Sequence, residues 1–141
     1  MKDISYKTIR EMITVNNKKE LKRLIYQRTV EYGLNCSLND IDVSKIDDMS
    51  FLFTDSKFNG DISSWDVSKV KDMSFMFEGS NFNGDISSWN VSSVTNMSYM
   101  FSWSQFNGDI SNWDTSSVED MRCIFIKTPL SGREPKWYRP W

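Results

Sequence analysis

The sequence predicts a repeat solenoid, and three observations carry that prediction. From residue 37 the chain divides without gaps into rows of 24: SLNDIDVSKIDDMSFLFTDSKFNG, DISSWDVSKVKDMSFMFEGSNFNG, DISSWNVSSVTNMSYMFSWSQFNG, then DISNWDTSSVEDMRCIF. Three columns never vary: Ser44, Ser68, Ser92, Ser116; Met49, Met73, Met97, Met121; and Phe53, Phe77, Phe101, Phe125. No row holds ten residues of sustained helical periodicity, so pairs of helices are excluded. A unit this short cannot bury its own apolar face, whereas stacked copies bury a continuous one.

Taken in chain order, residues 1–15 carry Ile4, Tyr6, Ile9, Met12 and Ile13, which suit a short helix. Asn17 followed by Glu20 has capping-box spacing; Leu21, Leu24 and Ile25 form one apolar face, and Gly33 is a C′ stop. This helix is expected to cover Leu38 and Ile41 at the first coil. Coils are placed at 37–60, 61–84, 85–108 and 109–126. They lie between an N-terminal helical cap (1–36) and an irregular C-terminal cap (127–141) with Pro129, Pro135, Pro140, Trp137, Tyr138 and Trp141, all in one domain.

Within a coil, β-compatible pieces such as VSKV alternate with FNGD turns and a Phe-Met-Phe cluster that suits one helical turn. Columns that keep their chemical type are expected inside: Ile46, Val70, Val94, Val118; Trp65, Trp89, Trp113; Leu38, Ile62, Ile86, Ile110. Gly60, Gly84 and Gly108 follow Asn, a pairing that suits a positive-φ corner. The stacked Asn59, Asn83 and Asn107, and the column Asp42, Asp66, Asn90, Asp114, are expected to hydrogen-bond backbone groups at successive corners.

Composition narrows the function. Without histidine, Ser-His-Asp and Cys-His pairs, a histidine proton shuttle and the usual His-bearing metal sites are excluded. The net charge of −2 conceals a segregation. Residues 1–36 hold eight basic against four acidic side chains, residues 37–126 five against fourteen, and residues 127–141 four against one. An acidic middle argues against nucleic acid as a partner. No apolar run is long enough for a membrane span and no secretion leader opens the chain, so a cytoplasmic location is expected, or a surface or secreted one if a leader was trimmed. Cys36 and Cys123 are 87 residues apart and are expected to be free thiols, Cys123 as buried filler.

The FNGDISSWDVSKVKDMSFMF pattern resembles the BspA-like bacterial surface-protein repeat, a member of the leucine-rich-repeat class, over residues 18–138. The resemblance implies a leucine-rich-repeat-like right-handed solenoid, with a short β-strand plus a turn or short helix per coil, and a role in binding or adhesion. In that geometry the strand, VSKVKDM in the second row, lines the binding face.

The columns flanking that strand change from row to row and supply the candidate partner-binding residues: Lys45, Lys69, Ser93, Ser117; Asp47, Lys71, Thr95, Glu119; and Arg122, which follows Ser50, Ser74 and Ser98. Trp103 joins them because its column otherwise holds Asp55 and Gly79. The alternative for each is a solvated face, or for Trp103 local packing on the next coil. Calcium on the Asp ladders is disfavoured by the absence of EF-hand or nonapeptide spacing, and no cofactor is expected. Rows of identical acids give no basis for dividing acid from base, so no catalysis is expected. The leading reading is a monomeric, non-enzymatic module that binds an unidentified protein through its strand face. The alternatives are a BspA-like surface adhesin or antigen, and an acidic decoy for a nucleic-acid-binding protein.

Overall fold

The computed structural model describes residues 11–140. Among them there is one helix, α1 (Lys18–Tyr32), and one open sheet of two strands, β1 (Ile13–Thr14) and β2 (Ile41–Asp42), paired in parallel with Ile13 opposite Ile41. The shorter helix expected within residues 1–15 is corrected at Ile13–Thr14, which are strand; its first ten residues lie outside the described chain.

Helix α1 begins where its capping residues place it. Asn17 Oδ1 accepts the Glu20 N–H at 2.9 Å. Glu20 in turn accepts from the backbone of Asn16, one residue before the cap, at 2.8 Å. Gly33, at φ 94°, ends the helix and donates its N–H to Thr29 O. Leu21, Ile25 and Arg28 are the buried residues of α1, and the first two join one apolar cluster with Leu38 and Ile41. The pair Arg28–Asp40, at 2.9 Å, is almost fully enclosed.

The expectation of a leucine-rich-repeat-like solenoid is overturned, because no strand recurs from coil to coil: β2 lies in the first and pairs with β1, and the described residues of the other three hold none. Where strands were expected, the chain turns: Ile46, Val70, Val94 and Val118 donate their N–H groups to the carbonyls three residues back, at 2.9–3.0 Å. Pairing in parallel is confined there to single-residue bridges, Asp48 to Asp72 to Asn96 to Asp120. The Phe-Met-Phe cluster is turn as well, not a helical turn. Its N–H groups alternate in direction. Those of Met73, Phe75, Phe77 and Gly79 reach carbonyls one period ahead (Asn96, Ser98, Met100, Ser102), while those of Met76, Glu78 and Ser80 turn back to Met73, Phe75 and Phe77. Local three-residue closures keep the backbone from extending, so cross-chain bonds form without strands.

Short polar side chains explain why turns win. Asp66 Oδ1 accepts both the N–H (3.0 Å) and the hydroxyl (2.6 Å) of Ser68. The same Asx closure recurs at Asp72–Ser74, Asp85–Ser87, Asn90–Ser92, Asn96–Ser98, Asp109–Ser111 and Asp114–Ser116. Side chains that hydrogen-bond their own backbone two residues on compete directly with extended structure. Asn59 and Asn83 instead link neighbours, accepting the N–H of Asn83 and Asn107 at 2.8 Å, and Arg133 donates to Asn107 at 2.7 Å.

The interior is built in register at the 24-residue spacing. Phe53, Phe77, Phe101 and Phe125 stack with centroids 5.5–6.1 Å apart and nearly parallel planes. Trp65, Trp89 and Trp113 donate their indole N–H to the carbonyls of Leu38, Ile62 and Ile86 at 2.9–3.1 Å. Trp137 in the C-terminal segment continues the series: its indole donates to Ile110 O at 2.8 Å and its ring stacks 6.2 Å from Trp113. Leu130 is likewise buried, one period after Phe106.

Glycine and positive φ are distributed differently from expectation. Gly60, Gly84 and Gly108 are not at positive φ; each is glycine because a Cβ would strike the Phe ring two residues earlier, and at Gly60 also the Cys36 carbonyl. Besides Gly33, Gly79 and Gly132, the positive-φ positions carry side chains: Phe51, Phe75, Tyr99 and Cys123 at 56–62°, and Asp55, Trp103 and Lys127 at 55–59°. Each such residue costs about 1–2 kcal/mol against its ordinary conformation.

Candidate binding site at the end of the stack

Most of the expected binding residues lie on the turns that replace the strand. Lys45, Lys69, Ser93 and Ser117 sit exposed inside those turns. Asp47, Lys71 and Glu119 are exposed just after them, and Thr95 is half-buried with its hydroxyl donated to Lys71 O. No strand face joins them, so binding through a strand face is corrected: the surface that it requires is absent among the described residues. Asp42, Asp61, Asp66, Asp85, Asp109 and Asp114 each accept hydrogen bonds from a serine two residues on, which gives these acids a place in the turns. Those bonds hold all six carboxyls below the usual carboxylate range.

Arg122 and Trp103 have a different setting. The positive-φ turns place Phe51, Phe75 and Tyr99 in an outward column of parallel rings, with centroids 4.7 and 4.8 Å apart. One period after Tyr99 the column holds Cys123, half-buried and a free thiol, not the buried filler expected. Tyr99 stacks on Phe75; among the described residues no ring covers its other face. A cavity of about 410 Å³ opens there, lined by Tyr99, Arg122, Cys123, Phe125, Glu134 and Tyr138 among others.

Its walls carry ordered polar groups. Arg122 is held by Asp120 through Nε (3.0 Å) and a terminal nitrogen (2.8 Å), and that pairing raises the Arg122 pKa and lowers that of Asp120. Glu134 accepts the Gly132 N–H at 3.0 Å, which lowers its carboxyl. The hydrogen bond with the Cys123 side chain raises the Tyr99 phenol, and burial raises that of Tyr138. Trp103 stands nearby on the same edge, 64% exposed, its N–H donated to Ile126 O and its ring 5.9 Å from the Lys127 ammonium. Only Arg122 of the expected residues lines the cavity; Tyr99, Glu134 and Tyr138 were missed, although the substitution of Cys123 in an aromatic column marks the place in the sequence.

Among the described residues these features define a small domain of one helix, one two-stranded open sheet and stacked turns, with a ring-lined cavity at one end. The chain belongs to the family described as Mycoplasma protein of unknown function, DUF285, whose model matches residues 19–136. That match replaces the BspA-like and leucine-rich-repeat assignment, and the adhesin or antigen reading that rested on it falls with it. No curated protein and no solved structure matches the chain. Among the described residues no helix is long and apolar enough to cross a membrane.

Proposed function

We propose that the protein is a non-catalytic binding domain whose cavity beside Cys123 accepts a flat aromatic group. The observation that carries this reading is the interrupted ring column: Phe51, Phe75 and Tyr99 stack, and the next position holds a side chain too small to continue them. A cavity of about 410 Å³ is within the size range of ligand pockets. A ring seated on Tyr99 would gain the stacking and apolar contact that the first three rings already share.

The test is an amide chemical-shift titration with 4-methylphenol, comparing the wild type with Cys123→Phe. Phenylalanine occupies the same column at Phe51 and Phe75 with φ of 62° and 58°, against 56° at Cys123, so the variant has a backbone suited to it. Shifts centred on Tyr99, Cys123 and Phe125 in the wild type, lost in the variant, are expected. Shifts scattered over the surface, or unchanged by Cys123→Phe, would overturn the reading.

A further inference from the structure

Helix α1 turns one face to the first coil and the other outward. Leu21, Ile25 and Arg28 are buried, whereas Lys19, Lys22, Arg23, Tyr26 and Val30 are exposed. Each of the exposed five lies three or four residues from another, so they share one stripe of the helix surface. The stripe holds three cations, a tyrosine, a valine and no acid. Lys18 is paired with Asp48 and Arg28 with Asp40, but among the described residues Lys19, Lys22 and Arg23 form no salt bridge. Tyr26 and Val30, at 70% and 69%, are the most exposed of the large apolar side chains described.

Beside the stripe, between α1 and the first coil, a cleft of about 170 Å³ is lined by Lys22, Ile25, Tyr26, Leu34, Leu52 and Phe58 among others. Ile25, Leu52 and Phe58 are its buried members; Lys22, Tyr26 and Leu34 are exposed. The cleft is smaller than the roughly 300–1,000 Å³ of small-molecule pockets and suits a single apolar side chain. A flat lipid surface has no such projecting group, whereas a polypeptide does. Charge selects the kind of polypeptide. Residues 37–126 carry fourteen acidic against five basic side chains, so an acidic segment is repelled by the coils and attracted to α1. A second copy of this chain supplies acids at Asp61, Asp85 and Asp109 and at Asp66 and Asp114, but the large apolar side chains adjoining them (Ile62, Ile86, Ile110, Trp65, Val67, Trp113) are all buried. Those columns offer carboxylates without the side chain that the cleft accepts.

We propose that the outer stripe of α1 and the cleft beside it dock an acidic segment of a partner protein, which sets one apolar side chain against Ile25, Leu52 and Phe58 while its carboxylates face Lys19, Lys22 and Arg23. This surface is separate from the cavity beside Cys123. Tyrosine and arginine next to a side-chain pocket are the residue types that carry binding at protein interfaces. The cations guide the approach. The cleft fixes the register.

The probe is the peptide DEELEED, compared with DEESEED, in amide chemical-shift titrations of the full chain. Shifts centred on Lys22, Tyr26, Thr29 and Leu34 are expected with the first peptide. Serine in place of leucine is expected to weaken binding about tenfold or more. Lys19→Gln combined with Lys22→Gln, both at exposed positions, is expected to weaken it about fivefold, and raising salt to about 0.5 M to weaken it further. No shifts at millimolar peptide, equal binding of the two peptides, or binding indifferent to the two lysines would each overturn the proposal. So would self-association of the chain in analytical ultracentrifugation that the double variant abolishes, because the occupant is then a second copy. Retention on phosphatidylglycerol vesicles, lost in the double variant while DEELEED leaves the cleft amides unshifted, would assign the face to lipid and overturn it as well.

Discussion

At the scale of single residues, position in the period determines what a side chain can do. Phe101 is fully buried between Phe77 and Phe125, with Phe106 at 4.4 Å, so its rings and neighbours form one continuous apolar body. Replacing Phe101 by Ala is expected to cost about 3–5 kcal/mol in denaturant unfolding; an unchanged midpoint would show that the column does not bear on stability. Phe75, two residues before the homologous Phe77, has a ring of the same kind but sits at positive φ on the outward column. Residue type alone does not separate the two. The constant Met and Phe columns identified the interior, whereas the strained outward ring column followed from backbone closures that composition does not reveal. Gly60 makes the same point: its preceding Asn suggested a left-handed corner, and the actual requirement is clearance from Phe58 and the Cys36 carbonyl.

At the scale of elements, α1 was legible to its last residue because its punctuation is local: Asn17 before it, Glu20 in its first turn and Gly33 after it. Removing the Asn17 side chain with Asn17→Ala is expected to lower stability by about 1 kcal/mol, measured by thermal or urea unfolding. A change within experimental error would show that the Glu20–Asn16 bond is sufficient to fix the first turn. The coil elements were legible as a period but not as structure. VSKV has a β-branched residue at each end, yet Asp66 and Ser68 close an Asx turn at its start and Val70 bonds back to Val67, so local hydrogen bonds prevail over propensity. Trp137 stands 24 residues after Trp113 and continues its series, a signal that the three prolines of the C-terminal segment obscured.

At the scale of the whole molecule, acid sensitivity follows from the repeated carboxylates. Asp42, Asp61, Asp66, Asp85, Asp109 and Asp114 have folded pKa values below the ordinary 3.8 because serine N–H and O–H groups favour the charged form. A depressed carboxyl pKa contributes stability that is fully present above the unfolded value and is lost as pH falls through the folded value. The melting temperature is therefore expected to hold from about pH 7 to 5 and to decline below about pH 4. Asp66→Asn, which copies Asn90 in the same column, should preserve the turn and make that decline shallower. A melting temperature insensitive to pH down to 3, or a steeper acid decline in the variant, would contradict this account. The overall charge segregation was plain in the sequence, but the engagement of its carboxylates with the backbone depends on geometry two residues away in each turn.

The indoles of Trp65 and Trp89 lie 6.5 Å apart and those of Trp113 and Trp137 6.2 Å apart, with planes tilted by 5° and 16°. Chromophores held this close and this nearly parallel couple their electronic transitions. The indole absorption and fluorescence of the folded protein are therefore expected to report on the stack as a whole. Because the last of these rings belongs to the C-terminal segment, detachment of that segment alone would alter the spectrum before the remainder of the protein unfolds.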